Sequence, residues 1–166
     1  MNRPNKEGAR DVYRIYLTPD LPYDGALGKE SENIGDAVDK LIERFVDWQF
    51  TRRDESKFLE VTLRSGRKEI LNRSDLISGA IIASIVERAK AMAIKRAIAT
   101  QQEEGIREMD LQLAFNAEYE ENDIFPTTDI TEDWLKLIDY DPENVVKIAP
   151  VKPIADSATQ PGSGVI

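Results

Sequence analysis

The sequence contains neither cysteine nor histidine among its 166 residues. Without cysteine the chain has no disulfides and no thiolate nucleophile, and a reducing compartment such as the cytoplasm suits it. Without histidine, the Ser-His-Asp and Cys-His nucleophile systems and histidine-ligated zinc are excluded. These two absences remove the most familiar arrangements for covalent and zinc-dependent hydrolysis.

Long apolar runs are also absent. No stretch approaches the ~20 apolar residues of a membrane-spanning helix, and the first ten residues, MNRPNKEGAR, lack the apolar segment of a signal peptide. Basic residues are fewer than acidic ones: the sequence has 22 Lys and Arg and 31 Asp and Glu, which gives a net charge of −9. This balance argues against partners recognised by positive charge. The sequence therefore predicts a cytoplasmic protein without a nucleic-acid or membrane partner.

Motifs that hold phosphates, dinucleotides or metals are missing as well. The sequence has no GxxxxGK[ST] loop, no GxGxxG and no HExxH. The acidic segment at residues 139–144, DYDPEN, has proline at a ligand position of a calcium loop and lacks the glycine of such a loop. We predict no catalytic and no metal-binding residue, and we attribute the acidic clusters at 118–123 and 139–143 to solvated helix ends. An acidic enzyme would need a positioned carboxylate pair, and the sequence singles out none.

The strongest helix signal lies in residues 78–99, SGAIIASIVERAKAMAIKRAIA. Ser78 is suited to cap this helix, because its hydroxyl can accept a backbone N–H of the first turn. Apolar residues recur at helical spacing over residues 82–93, without proline or internal glycine. Gly79 and Ala80 stand at the helix start, where N–H groups and the positive end of the dipole can face a phosphate or a polar ring edge. Close helix packing explains two small residues equally well, so spacing alone leaves both interpretations open.

Three further helices are predicted from apolar residues at helical spacing. The first follows Asn5, which can cap it, and ends at Thr18-Pro19, because proline disfavours helical geometry in the residue before it. Its predicted buried stripe consists of Ala9, Val12, Tyr13, Tyr16 and Leu17. The second helix covers residues 31–50 and the third residues 108–121, while residues 21–30 are rich in turn formers.

Alternating polarity marks a β-hairpin between the second helix and the long one. Residues 57–63 alternate, Ser65-Gly66 supplies a tight turn, and residues 68–71 form the returning strand. A lone hairpin is marginal in water, so it needs further strands or a helix to lie on. The apolar run at residues 145–148 is the predicted third strand. Helices together with a small sheet define an α+β fold.

The remaining segments carry weaker signals. Asp129 with Glu132 is a predicted capping pair for a short helix that contains Trp134. Both Trp48 and Trp134 are interpreted as core or interface anchors rather than ligand stackers. From residue 151 onward the chain has little to bury, which predicts a disordered tail over residues 151–166.

The order of these segments and their amino-acid sequences resemble those of a known family. Arg3-Pro4 before a helix, an inserted hairpin, and Ser78-Gly79-Ala80 opening a long Ala-rich helix resemble the small helical lid subdomain of AAA-type ATPases. More specifically, DVYRIYLTPDLP, KFLEVTLRSGRKEIL, SGAIIASIVERAKAMAIKRAI and EENDIFPTTDITEDW are similar to the C-terminal part of the actinobacterial proteasome-associated ATPases, the ring-forming Mpa/ARC family. The resemblance covers residues 1–150, and with it we expect the chain to be a piece of a longer protein.

The resemblance implies a fold built from two packed parts. A helical AAA lid subdomain is expected from residues 1–20 and 74–122. A small β-grasp-like, or ubiquitin-like, sheet is expected from residues 21–73 and 123–150, followed by the tail at 151–166. The α+β class predicted from residue patterns agrees with this expectation.

The resemblance also implies a function. The family builds hexameric rings that hydrolyse ATP and unfold proteins for degradation, which implies ATP and magnesium as cofactors of the full-length protein. Its Ser-Gly-Ala string lies beside the adenosine, so the resemblance assigns Ser78, Gly79 and Ala80 to the lid side of a nucleotide pocket. Other copies of the protein in the ring, the proteasome core and substrate proteins are the implied partners. The family's phosphate-binding loop, magnesium-binding strand end, pore loops and arginine finger are absent from this sequence, so this chain alone is expected to be inactive.

One departure and one alternative accompany the resemblance. Proteasome-docking members end in a Gly-Gln-Tyr-Leu type motif, whereas this chain ends GSGVI, which argues against docking. The alternative is a free-standing ubiquitin-like binding module or adaptor without catalytic activity, whose sheet meets a partner by edge pairing or through an apolar patch.

Overall fold

The computed structural model describes residues 3–121 and 140–151. The described residues fall into two compact units. The helical unit lies within Met1–Thr51 and Ile77–Phe125, and the sheet unit lies within Arg52–Leu76 and Pro126–Ile166. The first unit holds every α-helix of the described residues, and the second holds their strands.

Helix α1 (Lys6–Tyr16) begins as the sequence predicts. The side chain of Asn5 accepts a hydrogen bond from the backbone N–H of Gly8 at 2.8 Å. Its buried residues are Ala9, Tyr13 and the following Leu17. The predicted buried stripe was too wide. The buried residues of α1 are spaced four apart along one row of the helix, and Tyr16, outside that row, is 38% exposed.

Helices α2 (Gly25–Gly28) and α3 (Ile34–Phe50) follow, the short α2 lying in the segment predicted as turns. Asn33 caps α3 by accepting from the N–H of Gly35 at 2.8 Å. The buried face of α3 consists of Ala37, Val38, Leu41, Ile42, Phe45, Val46 and Gln49. Trp48 stacks on Phe45 with 5.9 Å between ring centroids and meets Phe115 edge-on at 5.6 Å, as a core anchor does.

Helices α4 (Gly79–Thr100) and α5 (Glu108–Glu121) complete the helical unit. The buried face of α4 consists of Ile82, Ile85, Val86, Ala89 and Ala93. Glu118 of α5 is only 5% exposed, and its carboxylate accepts from Ser84 Oγ at 2.7 Å and from Arg88 Nε at 2.8 Å. The prediction that the cluster at 118–123 is solvated is therefore wrong for Glu118, because this carboxylate joins α5 to α4.

The sheet unit contains three antiparallel strands, β1 (Lys57–Leu63), β2 (Lys68–Asn72) and β3 (Val145–Pro150), in the order β2-β1-β3. Gly66 has φ +89°, a left-handed conformation that glycine adopts without strain, and it closes the hairpin. The buried apolar residues of the strands are Leu59, Val61 and Ile148. The predicted hairpin and the predicted third strand are both confirmed.

Tyr140 ties the last described segment to the hairpin. Its hydroxyl donates a hydrogen bond to the carboxylate of Glu69 on β2, and Arg67 pairs with the same carboxylate. The pKa of Glu69 is lowered mainly by the Tyr140 hydroxyl and also by Arg67, since both stabilise the charged carboxylate. Short 3₁₀ turns flank the strands at Asp54–Ser56, Arg73–Leu76 and Pro142–Asn144.

The division into units corrects one expected boundary. Residues 21–73 were expected to belong with the sheet, whereas the structure assigns the chain up to Thr51, and with it α3, to the helical unit. The reason is that the apolar face of α3 packs against α1 and α5. The capping pair Asp129 and Glu132, Trp134, and the tail from residue 152 lie outside the described residues.

Candidate functional site at the start of helix α4

Ser78 caps α4 and sets the direction of its first turn. It has extended backbone geometry, with φ −137° and ψ 167°, and its Oγ accepts from the N–H of Ile81 at 3.2 Å. Its carbonyl accepts from the N–H of Ile82 at 3.0 Å. Ile77 and Ile82 are both fully buried, and these are the two positions that form a hydrophobic staple around a helix start. The helix start is therefore held by hydrogen bonds to Ser78 and flanked by two buried apolar side chains.

Gly79 and Ala80 lie at the surface of the helical unit. Both are exposed, and a Cβ built on Gly79 would meet no heavy atom within 4 Å in the part of the chain that the structure describes. Of the two interpretations left open by the sequence, close helix packing within this chain is therefore unsupported at Gly79. Nothing in the described fold requires a residue without a side chain there.

The first turn of α4 presents hydrogen-bond donors that no group within residues 3–121 and 140–151 accepts. Ser78 accepts hydrogen bonds from the backbone N–H groups of Ile81 and Ile82. The N–H groups of Gly79 and Ala80 are left directed out of the helix start. The first turn carries no acidic residue. The open space at Gly79, two donors and the positive end of the helix dipole together suit close approach by an electron-rich group such as a ring nitrogen or a phosphate oxygen.

The other end of α4 holds a charge cluster that sequence reasoning missed. The guanidinium of Arg96 donates to both carboxylate oxygens of Asp110, at 2.7 and 3.0 Å, and to the carbonyl of Gly105 at 2.7 Å. Arg96 also pairs with Glu104. Asp110, foremost, and Glu104 raise the pKa of Arg96 by stabilising its charge. Only the folded chain brings these groups together, so helical spacing alone did not reveal them.

A small cavity of about 240 Å³ lies elsewhere in the helical unit. Its lining includes the apolar side chains of Leu27, Leu41 and Ile106. The two cations of its lining are already matched: Arg44 pairs with Glu30 at 2.8 Å and with Glu108 at 3.2 Å, and Arg107 pairs with Glu104 at 2.9 Å. We therefore do not assign a ligand to this cavity.

Neither a metal cluster nor a membrane-spanning helix is present in the described residues. They contain no group of three or more carboxylates placed to hold a metal ion. None of the helices in residues 3–121 and 140–151 is long and apolar enough to cross a membrane.

Comparison with known proteins gives the family. Residues 4–165 match the family described as "ARC, AAA+ ATPase lid domain". The chain belongs to this family. The predicted resemblance to the Mpa/ARC ATPases is confirmed, and the helices with a small antiparallel sheet agree with the predicted α+β class.

Several curated relatives of this ARC lid carry the name "Proteasome-associated ATPase". The relative from Sanguibacter keddieii is 40% identical over 149 residues, which are 89% of this chain and 26% of that protein. The relative from Acidothermus cellulolyticus is 38% identical over 149 residues, 89% of this chain and 25% of that protein. A third, from Acidimicrobium ferrooxidans, is 38% identical over 151 residues, 88% of this chain and 25% of that protein. The chain spans about a quarter of the length of these relatives.

Proposed function

We propose that this ARC lid covers the nucleotide pocket of a hexameric, ring-forming AAA ATPase that unfolds proteins in the cytoplasm. ATP and magnesium would be bound mainly by the remaining three-quarters of such a protein, which the curated relatives contain and this chain does not. The observation that carries the proposal is the family match over residues 4–165. The names of the relatives, which are proteasome-associated ATPases, support it.

Within this proposal, Ser78, Gly79 and Ala80 lie against the adenosine of the bound nucleotide. Ser78 would hold the helix start in place, and the two N–H groups that follow would face the polar edge of the base or the ribose. Gly79 would allow the backbone to approach closely, since a side chain there would occupy the space that the ligand needs.

The proposed role of the lid is mechanical. A lid that contacts nucleotide in only one of two ring states biases the ring toward that state, and it passes the change to the neighbouring subunit, another copy of the same protein. Such a part must move as one body. The Glu118 contacts between α5 and α4 and the Arg96 contacts at the far end of α4 support this role, because they join the two helices at two separate levels.

Substitution of Gly79 in a complete ATPase tests the pocket assignment. The matched region of the Sanguibacter keddieii relative is replaced by this chain, and Gly79→Trp is compared with the unsubstituted chimera by phosphate release at varied ATP concentration. We expect the KM for ATP to rise by about tenfold or more, because the indole would fill the space beside the nucleotide.

Gly25→Trp is the matched control. Gly25 also opens a helix, and a Cβ there likewise meets nothing within 4 Å, so an equally large side chain is added at an equally open helix start. This variant should keep the KM and turnover of the chimera. If Gly79→Trp leaves both constants unchanged, or if both tryptophan variants raise KM equally, the pocket assignment is wrong.

A further inference from the structure

A short link, residues 72–78, joins strand β2 to helix α4. It runs from the last residue of β2 through the 3₁₀ turn Arg73–Leu76 to Ser78, which caps α4. None of residues 72–78 is exposed, whereas Gly79 and Ala80, which follow at once, are exposed. A segment that is covered along its whole length has little room to change conformation. The 72–78 link is therefore a poor place for slack between β2 and α4.

The 72–78 link also carries the chain from one compact unit to the other. The sheet unit includes Leu76, and the helical unit resumes at Ile77, one residue before Ser78. Successive Cα atoms are held about 3.8 Å apart, so a displacement of residues 72–76 must be absorbed at Ile77 or passed to the start of α4. Ile77 is completely buried. It is therefore ill suited to absorb the displacement.

Asn72 fastens this link to the sheet unit. It is buried, and it pairs with Lys57 of β1. Its backbone N–H donates to the carboxylate of Asp75 at 2.9 Å, which ties β2 to the 3₁₀ turn. Its Oδ1 lies 2.9 Å from the Oγ of Ser56, a second buried polar residue. Asn72 thus connects the strand, the turn and the segment that enters the sheet unit.

The entering segment is held at the same place. The Oγ of Ser56 accepts from the N–H of Arg53 at 2.9 Å and lies 2.7 Å from the carbonyl oxygen of Arg53. The guanidinium of Arg52 reaches the carboxylate of Asp75 at 3.5 Å. We call these two segments, residues 52–56 and 72–76, the base of the sheet unit. Separating them would leave buried polar groups without hydrogen bonds, which is costly.

On the pocket assignment proposed above for residues 78–80, we propose that Asn72 is a positioning residue through which the base of the sheet unit sets the affinity for nucleotide. Asn72 holds the 72–78 link, and the link holds the start of α4 in the conformation that meets the nucleotide. A loosened helix start must be ordered again on binding, and that cost lowers the affinity. By linkage, bound nucleotide should stabilise the link in return.

Amide hydrogen exchange measured by NMR on the full chain tests the link without nucleotide. Asn72→Ala removes the side chain that contacts Ser56. We expect the amides of Ile81 and Ile82, which donate to Ser78, to exchange about tenfold faster or more, because the capped turn opens more often. The amide of Ala93, farther along α4, should keep its exchange rate.

Two further variants make this measurement specific. Asn144→Ala is the same change in the same unit, at an exposed residue just before β3, and it should leave exchange in α4 unchanged. Ser56→Ala removes the other half of the contact and should accelerate exchange at the same two amides as Asn72→Ala. Circular dichroism and thermal unfolding check folding, and Ser56→Ala decides the matter if Asn72→Ala does not fold.

The chimera described above tests the effect on nucleotide. Asn72→Ala should raise the KM for ATP by about fivefold or more and leave kcat within about twofold, measured well below the unfolding midpoint. A residue that only stabilised the fold would not change the KM of molecules that are folded. Asn144→Ala is again the control and should keep both constants.

The outcomes separate this inference from the pocket assignment. Unchanged exchange at Ile81 and Ile82 in both base variants, or an equal effect of Asn144→Ala, overturns the inference, because the link then does not hold the helix start. If Gly79→Trp raises the KM and Asn72→Ala does not, the inference is wrong while the pocket assignment stands. If Gly79→Trp leaves the KM unchanged, the pocket assignment fails and the control of affinity by Asn72 fails with it.

Discussion

At the scale of single residues, Gly105 has less room for a side chain than any other glycine of the described residues. A Cβ built there would lie 2.2 Å from the carbonyl carbon and 2.5 Å from the carbonyl oxygen of Tyr23, distances that no real side chain tolerates. The close approach exists because Ile106 pairs with the Tyr23 segment, donating to the carbonyl of Pro22 at 3.0 Å and accepting from Asp24 at 3.1 Å. The connection between α4 and α5 is thereby joined to the chain before α2.

Gly105→Ala should therefore lower the free energy of unfolding of the chain by ~3 kcal/mol, since two backbone segments must move apart to admit one methyl group. Urea unfolding followed by circular dichroism measures the change. Gly25→Ala is the control, because a Cβ at Gly25 meets nothing within 4 Å, and we expect it to change stability by less than about 1 kcal/mol. A Gly105→Ala variant as stable as this control would contradict the close approach.

At the scale of elements, Arg96 fixes the end of α4 to the start of α5. Its contacts with Asp110, Glu104 and the carbonyl of Gly105 replace water around a side chain that is largely buried, and Asp110 itself is almost completely buried. Removing one member of such a cluster leaves the others charged and desolvated, which is the costly case for buried ion pairs.

Arg96→Met should destabilise the chain by about 3 kcal/mol, because Asp110 is left buried without its cation. Lys95→Met, one residue earlier on the exposed face of the same helix, is the matched control and should cost less than about 0.5 kcal/mol. Urea unfolding compares the two variants with the original chain. Equal stability of the two methionine variants would mean that the Arg96 cluster does not stabilise the contact between α4 and α5.

Ion pairs between α1 and α3 make stability depend on pH. The pKa of Asp47 is lowered mainly by Lys6 and also by Arg10. Oδ1 of Asp47 lies 2.7 Å from the Lys6 ammonium nitrogen and 2.9 Å from a guanidinium nitrogen of Arg10. The folded-state pKa of Asp47 is thus below its unfolded value. Its contribution is present at neutral pH and is lost as pH falls through the usual carboxyl range, about 4, and below.

Asp47→Asn should therefore lower the thermal unfolding midpoint at about pH 7 and reduce its fall between about pH 5 and pH 3. Differential scanning calorimetry across that range measures both effects. Lys6→Met removes the main cause of the pKa shift and should flatten the profile in the same direction. An Asp47→Asn profile parallel to that of the original chain would refute the linkage. The pairs are exposed, so added salt should shrink both effects.

At the scale of the whole molecule, the chain matches about a quarter of the length of its ATPase relatives, and its sequence contains no phosphate-binding loop. We expect the isolated chain to release no phosphate from ATP above the rate of a buffer control, while the chimera described above does. A phosphate-release assay on both decides the matter. Turnover by the isolated chain would mean that its sequence holds a catalytic site that motif analysis missed.

Local sequence patterns predicted where several elements begin, in both units. Capping residues Asn5 and Ser78, the turn at Gly66 and the strand alternation act within a few residues, so the sequence by itself determined where α1, α4 and the hairpin begin. The family resemblance rested on such local strings and their order. It predicted the family and the α+β class correctly.

Tertiary structure alone decided which elements belong together. Periodicity shows that α3 has an apolar face but does not show what covers that face, and in the structure α1 and α5 pack against it. The same limit applies to Glu118 and Arg96, whose partners lie 30 and 14 residues away along the chain. A charged side chain that is expected to be solvated can be buried when folding supplies an opposite charge, because their attraction offsets the cost of desolvation.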